Sequence, residues 1–157
     1  MDFARALWLS CNKPPLAPGF ATSFYKRIAP ISDTSDDAAA REQGAEFLPK
    51  FDSAGLLTAI AQDAASGEVL MVAFMDREAL DATRASGLAH FHSRSRGRLW
   101  MKGESSGHVL HVEAILVDCD QDALVLKVRP AGPACHTGEP SCFYRAVEGE
   151  ALTRLGG

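Results

Sequence analysis

From residue 56 onward, short apolar runs alternate with turn-forming residues, and their spacing predicts the elements of the chain. Leu56–Asp63 (LLTAIAQD) suits a strand, and Ala65-Ser66-Gly67 supplies turn chemistry after it. Glu68–Met75 (EVLMVAFM) is apolar enough for a buried strand. Periodicity alone does not separate that reading from a helix, but the shortness of the run and Gly67 before it favour a hairpin. Asp76 stands where an N-cap belongs for DREALDATRASG, with Glu78 near the positive helix end and Gly87 as the stop. Ala79, Leu80 and Thr83 form the inner stripe of that helix. Further on, His108–Val117 alternates, with Val109, His111, Glu113, Ile115 and Val117 on one face and Leu110, Val112, Ala114 and Leu116 on the other. Both faces are largely apolar, so an interior strand is expected. Ala123–Arg129 (ALVLKVR) reads as its antiparallel partner through a Gln121-Asp122 turn, and Pro130 ends it.

Residues 1–43 carry Pro14, Pro15, Pro18 and Pro30, then the acidic, Ala-rich SDTSDDAAARE, with no sustained periodicity. The boundaries expected are an extension over 1–43, a domain over 44–150 and a tail over 151–157. The extension reads as poorly ordered or as a start assigned too far upstream; Trp8, Phe20, Phe24 and Tyr25 are its candidates for docking on the domain. A chain of 157 residues, 46% of them hydrophobic, fits one globular domain with an extension. A net charge of −4 argues against a general nucleic-acid binder. No run approaches a membrane span, and the apolar stretch in MDFARALWLSC is too short for a secretory signal. A cytoplasmic protein is expected, where cysteines more often bind metal or act in catalysis than form disulfides. Cys11, alone in the extension, reads as a bystander.

His90–Trp100 (HFHSRSRGRLW) breaks the acidic character of the chain. Arg94, Arg96 and Arg98, with nearby Lys102, concentrate positive charge, and Ser93 and Ser95 add hydroxyl donors. Guanidinium forks match phosphate oxygens, so one reading is a phosphate site; the other is a solvated strand and turn. Lys102–Gly107 (KGESSG) reads as a loop in which Gly103 and Gly107 let backbone amides approach a ligand. Glu104 has the choice of orienting Lys102 or a water, or capping a turn. His108 and His111 read as packed rather than catalytic.

The densest chemistry lies in Val117–Phe143. Asp118, Asp120 and Asp122 occupy alternate positions with Cys119 between the first two, and Cys135, His136 and Cys142 follow. On an extended chain Asp118 and Asp120 share a face and Cys119 points the other way. Carboxylates suit magnesium or calcium and thiolates suit zinc, which predicts two different metals near one turn. An EF-hand loop is excluded, because its Gly and terminal carboxylate positions hold Ala123 and Arg129. His111-Val112-Glu113 matches half of a nucleobase-deaminase signature, but Cys135 and Cys142 are too far apart for the other half. Three readings of the cysteines remain: a catalytic zinc with three ligands and a water, a structural zinc closed by His136, and buried cysteines without metal.

The stretches GEVLMVAFMDREAL (67–80), SRSRGRLWMKGESSGH (93–108), DCDQDAL (118–124) and AGPACHTGEPSCFYR (131–145) resemble the phosphoribosyl-AMP cyclohydrolases of histidine biosynthesis. The resemblance runs through nearly all of residues 46–145, and the paired motifs around the aspartates and cysteines are its most specific part. It implies zinc on Cys119, Cys135 and Cys142, magnesium on Asp118, Asp120 and Asp122, and a proton carrier at His136. It also implies an α+β fold, a small mixed or antiparallel sheet with few helices. Family members form homodimers whose metal sites lie at the subunit interface, with the first cysteine and the other two drawn from different chains. The implied reaction is zinc-dependent hydrolytic opening of the C6–N1 bond in the adenine ring of N1-(5-phosphoribosyl)-AMP. The runner-up is a metal-dependent deaminase of another nucleotide. Arg94, Arg96 and Lys102 are candidates for substrate phosphate, and Trp100 for stacking on the base or packing in the core. His92 departs from the family, which commonly has an aromatic residue there.

Overall fold

The computed structural model describes residues 35–155. The sequence predictions for Cys11 and for the aromatic residues of the extension lie outside that range. Elements run in the order α1 (Ser35–Gln43), β1 (Leu57–Asp63), β2 (Val69–Met75), α2 (Arg77–Ser86), β3 (His90–Ser93), β4 (Arg98–Met101), β5 (Leu110–Val117), β6 (Ala123–Pro130), β7 (Arg145–Glu148) and β8 (Ala151–Arg154). The result is a small α+β domain. Six strands form one sheet in the order β4-β3-β2-β1-β6-β5, and β7 pairs with β8 in a separate hairpin. The sheet is mixed, because β1 lies antiparallel to β2 but parallel to β6. Helix α1 falls in the stretch assigned to the extension, and β8 in the stretch assigned to the tail. Among the described residues no helix is long and apolar enough to cross a membrane.

The β1–β2 hairpin forms as its turn chemistry predicts. Asp63 Oδ1 accepts from Ala65 N, Ser66 N and Ser66 Oγ, and Gly67 takes the positive φ of 78° that the turn requires. Leu57, Ala59 and Ala61 turn inward from β1 and meet Leu124, Leu126 and Val128 of β6 in the core. In β2 the register shifts where it passes Ala61 and Gln62, so Leu70 is an extra residue with no Cα partner. That bulge is why Leu70 and Met71 are both buried although they are neighbours.

Helix α2 has the expected limits. Asp76 Oδ1 accepts from Ala79 N at 2.8 Å, Gly87 closes the helix at φ 71°, and Ala79, Leu80 and Thr83 are its buried residues. Beyond it, Ala89 N donates to Leu110 O, Val112 N donates to Gly87 O, and Lys102 N donates to Ala89 O. This short connection ties the end of β4 to the start of β5, so the two edges of the sheet curl toward one another.

The interior placement expected for His108–Val117 is corrected: β5 is an edge strand, bonded only to β6 within the sheet. Its register shifts between Val112 and Ala114, leaving Glu113 as an extra residue. The shift changes which parity faces inward. Leu110 and Val112 meet the core before it, Ile115 meets the core after it, and Leu116 is 52% exposed. Gly103 also serves differently from the ligand approach expected of it. A Cβ there would lie 2.4–2.6 Å from backbone atoms of His108 and Val109, so its role is to let the loop close on its own chain. Glu104 caps that turn, its Oε2 accepting from Met101 N. His108 packs its ring against Gly132, where a Cβ would meet it at 2.6 Å.

Candidate active site

The carboxylates are gathered by a turn rather than by a strand. β5 ends at Val117, and Asp118 then closes a loop on Ala123: its N–H donates to Ala123 O, and its Oδ1 accepts from Ala123 N at 3.1 Å. Gln121 sits at φ 64°, a left-handed conformation unusual for a residue with a side chain. The turn brings one oxygen from each of Asp118, Asp120 and Asp122 within 4.8 Å of one another. Lys50 Nζ lies 3.1 Å from Asp120 Oδ2. Burial pushes the Asp122 carboxyl above its ordinary value, and the charges of Asp120 and Asp118 push the same way, with Lys50 opposing them. Three carboxylates so gathered form the hard donor set that a divalent cation such as magnesium or calcium takes.

Asp122 also lines a cleft of ≈ 260 Å³ with Lys50, Phe51, Asp52, Leu56, Leu57, Thr58 and Phe74. The Arg94 guanidinium stacks on the Phe74 ring at 4.0 Å. Beside Phe74 in the register stands His92, whose Nδ1 is 2.7 Å from Asp76 Oδ2. That imidazole is therefore held by the second oxygen of the α2 cap.

The cysteines divide. Leu70, freed from the strand ladder by its bulge, accepts from Cys142 N at 2.8 Å, and Ser141 Oγ donates to Val69 O at 2.7 Å. The preceding loop folds back on itself, with Cys135 N donating to Glu139 O and Ala134 N to Pro140 O. These bonds set Cys135 and Cys142 side by side. Thr137 Oγ1 donates to Cys135 Sγ at 3.0 Å, and chiefly for that reason the Cys135 thiol is held below its ordinary value. Cys142 is pushed the other way, to about 11, first by desolvation around its sulfur and then by sharing a hydrogen bond with Cys135. Lys102 lies close enough for both sulfurs to favour its charged form, although burial dominates and lowers its value. His136 is exposed, with Nδ1 3.9 Å from Cys135 Sγ. Two adjacent sulfurs, one of them held below its ordinary value by a hydroxyl donor, fit a thiophilic ion such as zinc.

Cys119 is exposed and does not join them: among the described residues, the only three-membered group with converging ligand atoms is the aspartate trio. Of the candidate phosphate cations, Arg94 stacks on Phe74, a cleft residue, and Lys102 neighbours the thiols. Arg96 instead turns back on Ser93 Oγ at 3.1 Å. Trp100 packs against Phe91, ring centroids 5.3 Å apart, at the margin of the core. Sequence reasoning missed Lys50, Phe51 and Phe74 as cleft residues, because apolar and domain-opening positions carry no chemical signature until a wall is built from them. It missed Thr137 too, whose place two residues after Cys135 was the available signal.

The family model described as phosphoribosyl-AMP cyclohydrolase matches residues 71–144. The phosphoribosyl-AMP cyclohydrolase of Erythrobacter litoralis is 62% identical over 115 residues, covering 73% of this chain and 92% of that protein. That of Rhizorhabdus wittichii is 60% identical over 113 residues, covering 72% and 91%. The enzyme of the same name from Methanococcoides burtonii is 59% identical over 103 residues, covering 66% and 85%. With such identity over nearly the full length of its relatives, the chain belongs to the phosphoribosyl-AMP cyclohydrolase family and is an enzyme.

Proposed function

We propose that this chain hydrolyses phosphoribosyl-AMP, opening the C6–N1 bond of the adenine ring in L-histidine biosynthesis. The observation that carries the reading is the double membership of Asp122, which belongs both to the carboxylate trio and to the wall of the adjoining cleft. A cation site and a recess for substrate thus share a residue, as metal-assisted binding of a phosphorylated nucleotide requires. Asp118, Asp120 and Asp122 hold magnesium. Cys135 and Cys142, joined by Cys119 of the partner subunit in a homodimer, hold zinc, which when bound supplies the means of activating water near neutral pH.

Substitution at N1 makes the purine cationic and C6 electrophilic. His136 takes a proton at an imidazole nitrogen as water adds to C6, and delivers a proton to N1 as the C6–N1 bond opens. Its exposed position beside Cys135 suits that exchange. Arg94 leads the candidates for the substrate's phosphates, because it stacks on a cleft residue, followed by Lys102 and Arg96. Trp100 stays with Phe91.

Hydrolysis of phosphoribosyl-AMP by metal-defined protein tests this directly. Wild type with zinc and magnesium should open the ring without releasing ammonia, and Cys135→Ala should lose the activity with its zinc. His136→Ala should keep its zinc and fall by about 10²-fold or more. Folded, zinc-loaded wild type that leaves the substrate intact, or releases ammonia from it, would sink the assignment.

A further inference from the structure

The aspartate turn is bonded to a segment far earlier in the chain. Gln121, between two of the carboxylates, is only 4% exposed, and its bonds go to a segment more than seventy positions earlier in the chain. Its Oε1 accepts from Leu48 N at 2.7 Å, and its Nε2 donates to Arg41 O and to Glu46 O, each at 3.1 Å. Its own carbonyl accepts from Lys50 N at 2.8 Å, and Lys50 then reaches back to Asp120. The amide is thereby satisfied at both ends while the backbone is kept at φ 64°, which residues other than glycine adopt at a cost. A side chain serving only the turn would have no reason to span to the other segment, and a turn needing only the left-handed backbone would be served by glycine or asparagine.

We propose that Gln121 is a positioning residue for the aspartate trio, its amide clamping the turn to the Arg41–Lys50 segment and so setting the spacing of the three carboxylates for a hard divalent cation. The inference rests on the reading that the trio holds such a cation. The ligands are then supported from outside by a residue that does not ligate, and removing support of this kind costs roughly 10- to 100-fold in metal affinity.

The test is Mn²⁺ binding to the full-length, zinc-loaded protein, followed by electron paramagnetic resonance of free Mn²⁺, alongside the thermal midpoint of each variant. Gln121→Asn and Gln121→Gly both accept the left-handed backbone but cannot reach Leu48, Arg41 and Glu46; Gln121→Ala loses both features. All three should bind Mn²⁺ about tenfold more weakly or worse than wild type while folded. Ring opening in Gln121→Asn should return toward the wild-type rate as Mg²⁺ is raised, leaving an altered Mg²⁺ dependence. Unchanged Mn²⁺ affinity in Gln121→Asn or Gln121→Gly, even with a lowered midpoint, would reduce Gln121 to a structural residue and overturn the proposal. The parent reading fails separately, if wild type binds no Mn²⁺ or if Asp120→Asn binds it as tightly.

Discussion

Cys135 and Cys142 are alike in sequence and opposite as acids. The Thr137 hydroxyl and amide favour the Cys135 thiolate, whereas desolvation and the shared proton disfavour ionisation of Cys142. Replacing Thr137 with Val removes the hydroxyl bond and keeps the amide. In metal-free protein the Cys135 titration should therefore move up toward the ordinary thiol range, and its alkylation near pH 8 should slow, because less thiolate is present. Rates against pH, with the modified residue located by mass spectrometry, measure this; a Thr137→Val profile that overlays wild type would show that the hydroxyl does not tune the sulfur. The identity of the metal-ligand candidates was legible in the sequence, because Asp, Cys and His carry their chemistry with them. Thr137 and Gln121 were not, since their roles consist of what they touch.

At the scale of the element, Asp76 divides its carboxylate between two tasks. Oδ1 caps α2, and Oδ2 receives the His92 imidazole from β3. Asp76→Ala removes both and should lower the unfolding free energy by about 2 kcal/mol, combining a lost cap with a lost part-buried hydrogen bond. Asp76→Asn keeps an acceptor at the cap and should cost less than half of that. Urea titrations of these variants in wild-type and His92→Phe backgrounds would separate the two tasks; additive losses would mean that the His92 bond contributes nothing. The β1–β2 hairpin and α2 were readable because each is specified locally, by turn residues, caps and a 3.6-residue stripe. The bulges at Leu70 and Glu113 were not readable, since a bulge exists only relative to the partner strand. That also explains β5, whose alternation was real but reversed midway.

At the scale of the domain, one chain assembles its carboxylates but leaves Cys119 apart from Cys135 and Cys142. If a homodimer completes the thiolate set, neither Cys119→Ala nor Cys135→Ala can form a site alone, yet a mixed dimer carries one intact set. Co-refolding the two inactive variants in equal amounts should then restore roughly a quarter of wild-type activity, the share of intact sites under random pairing. No recovery in verified mixed dimers would overturn the sharing of the thiolate set between subunits. No single sequence could decide this question, because every spacing in it is compatible with sharing or with closure.

The parallel pairing of β1 with β6 has a consequence for the order of events as the chain folds. Thr58 joins Ala123 and Asp63 joins Val128, so the contacts that frame the aspartate turn are among the most distant along the described chain. Closing so long a loop is slow, while the β1–β2 and β5–β6 hairpins are local and quick. If the trio holds magnesium as proposed, its site comes into being near the end of folding, and the ion would stabilise a finished architecture instead of nucleating one. Magnesium should accordingly slow unfolding and leave the refolding rate nearly unchanged, a difference visible as a shift in only one limb of the chevron.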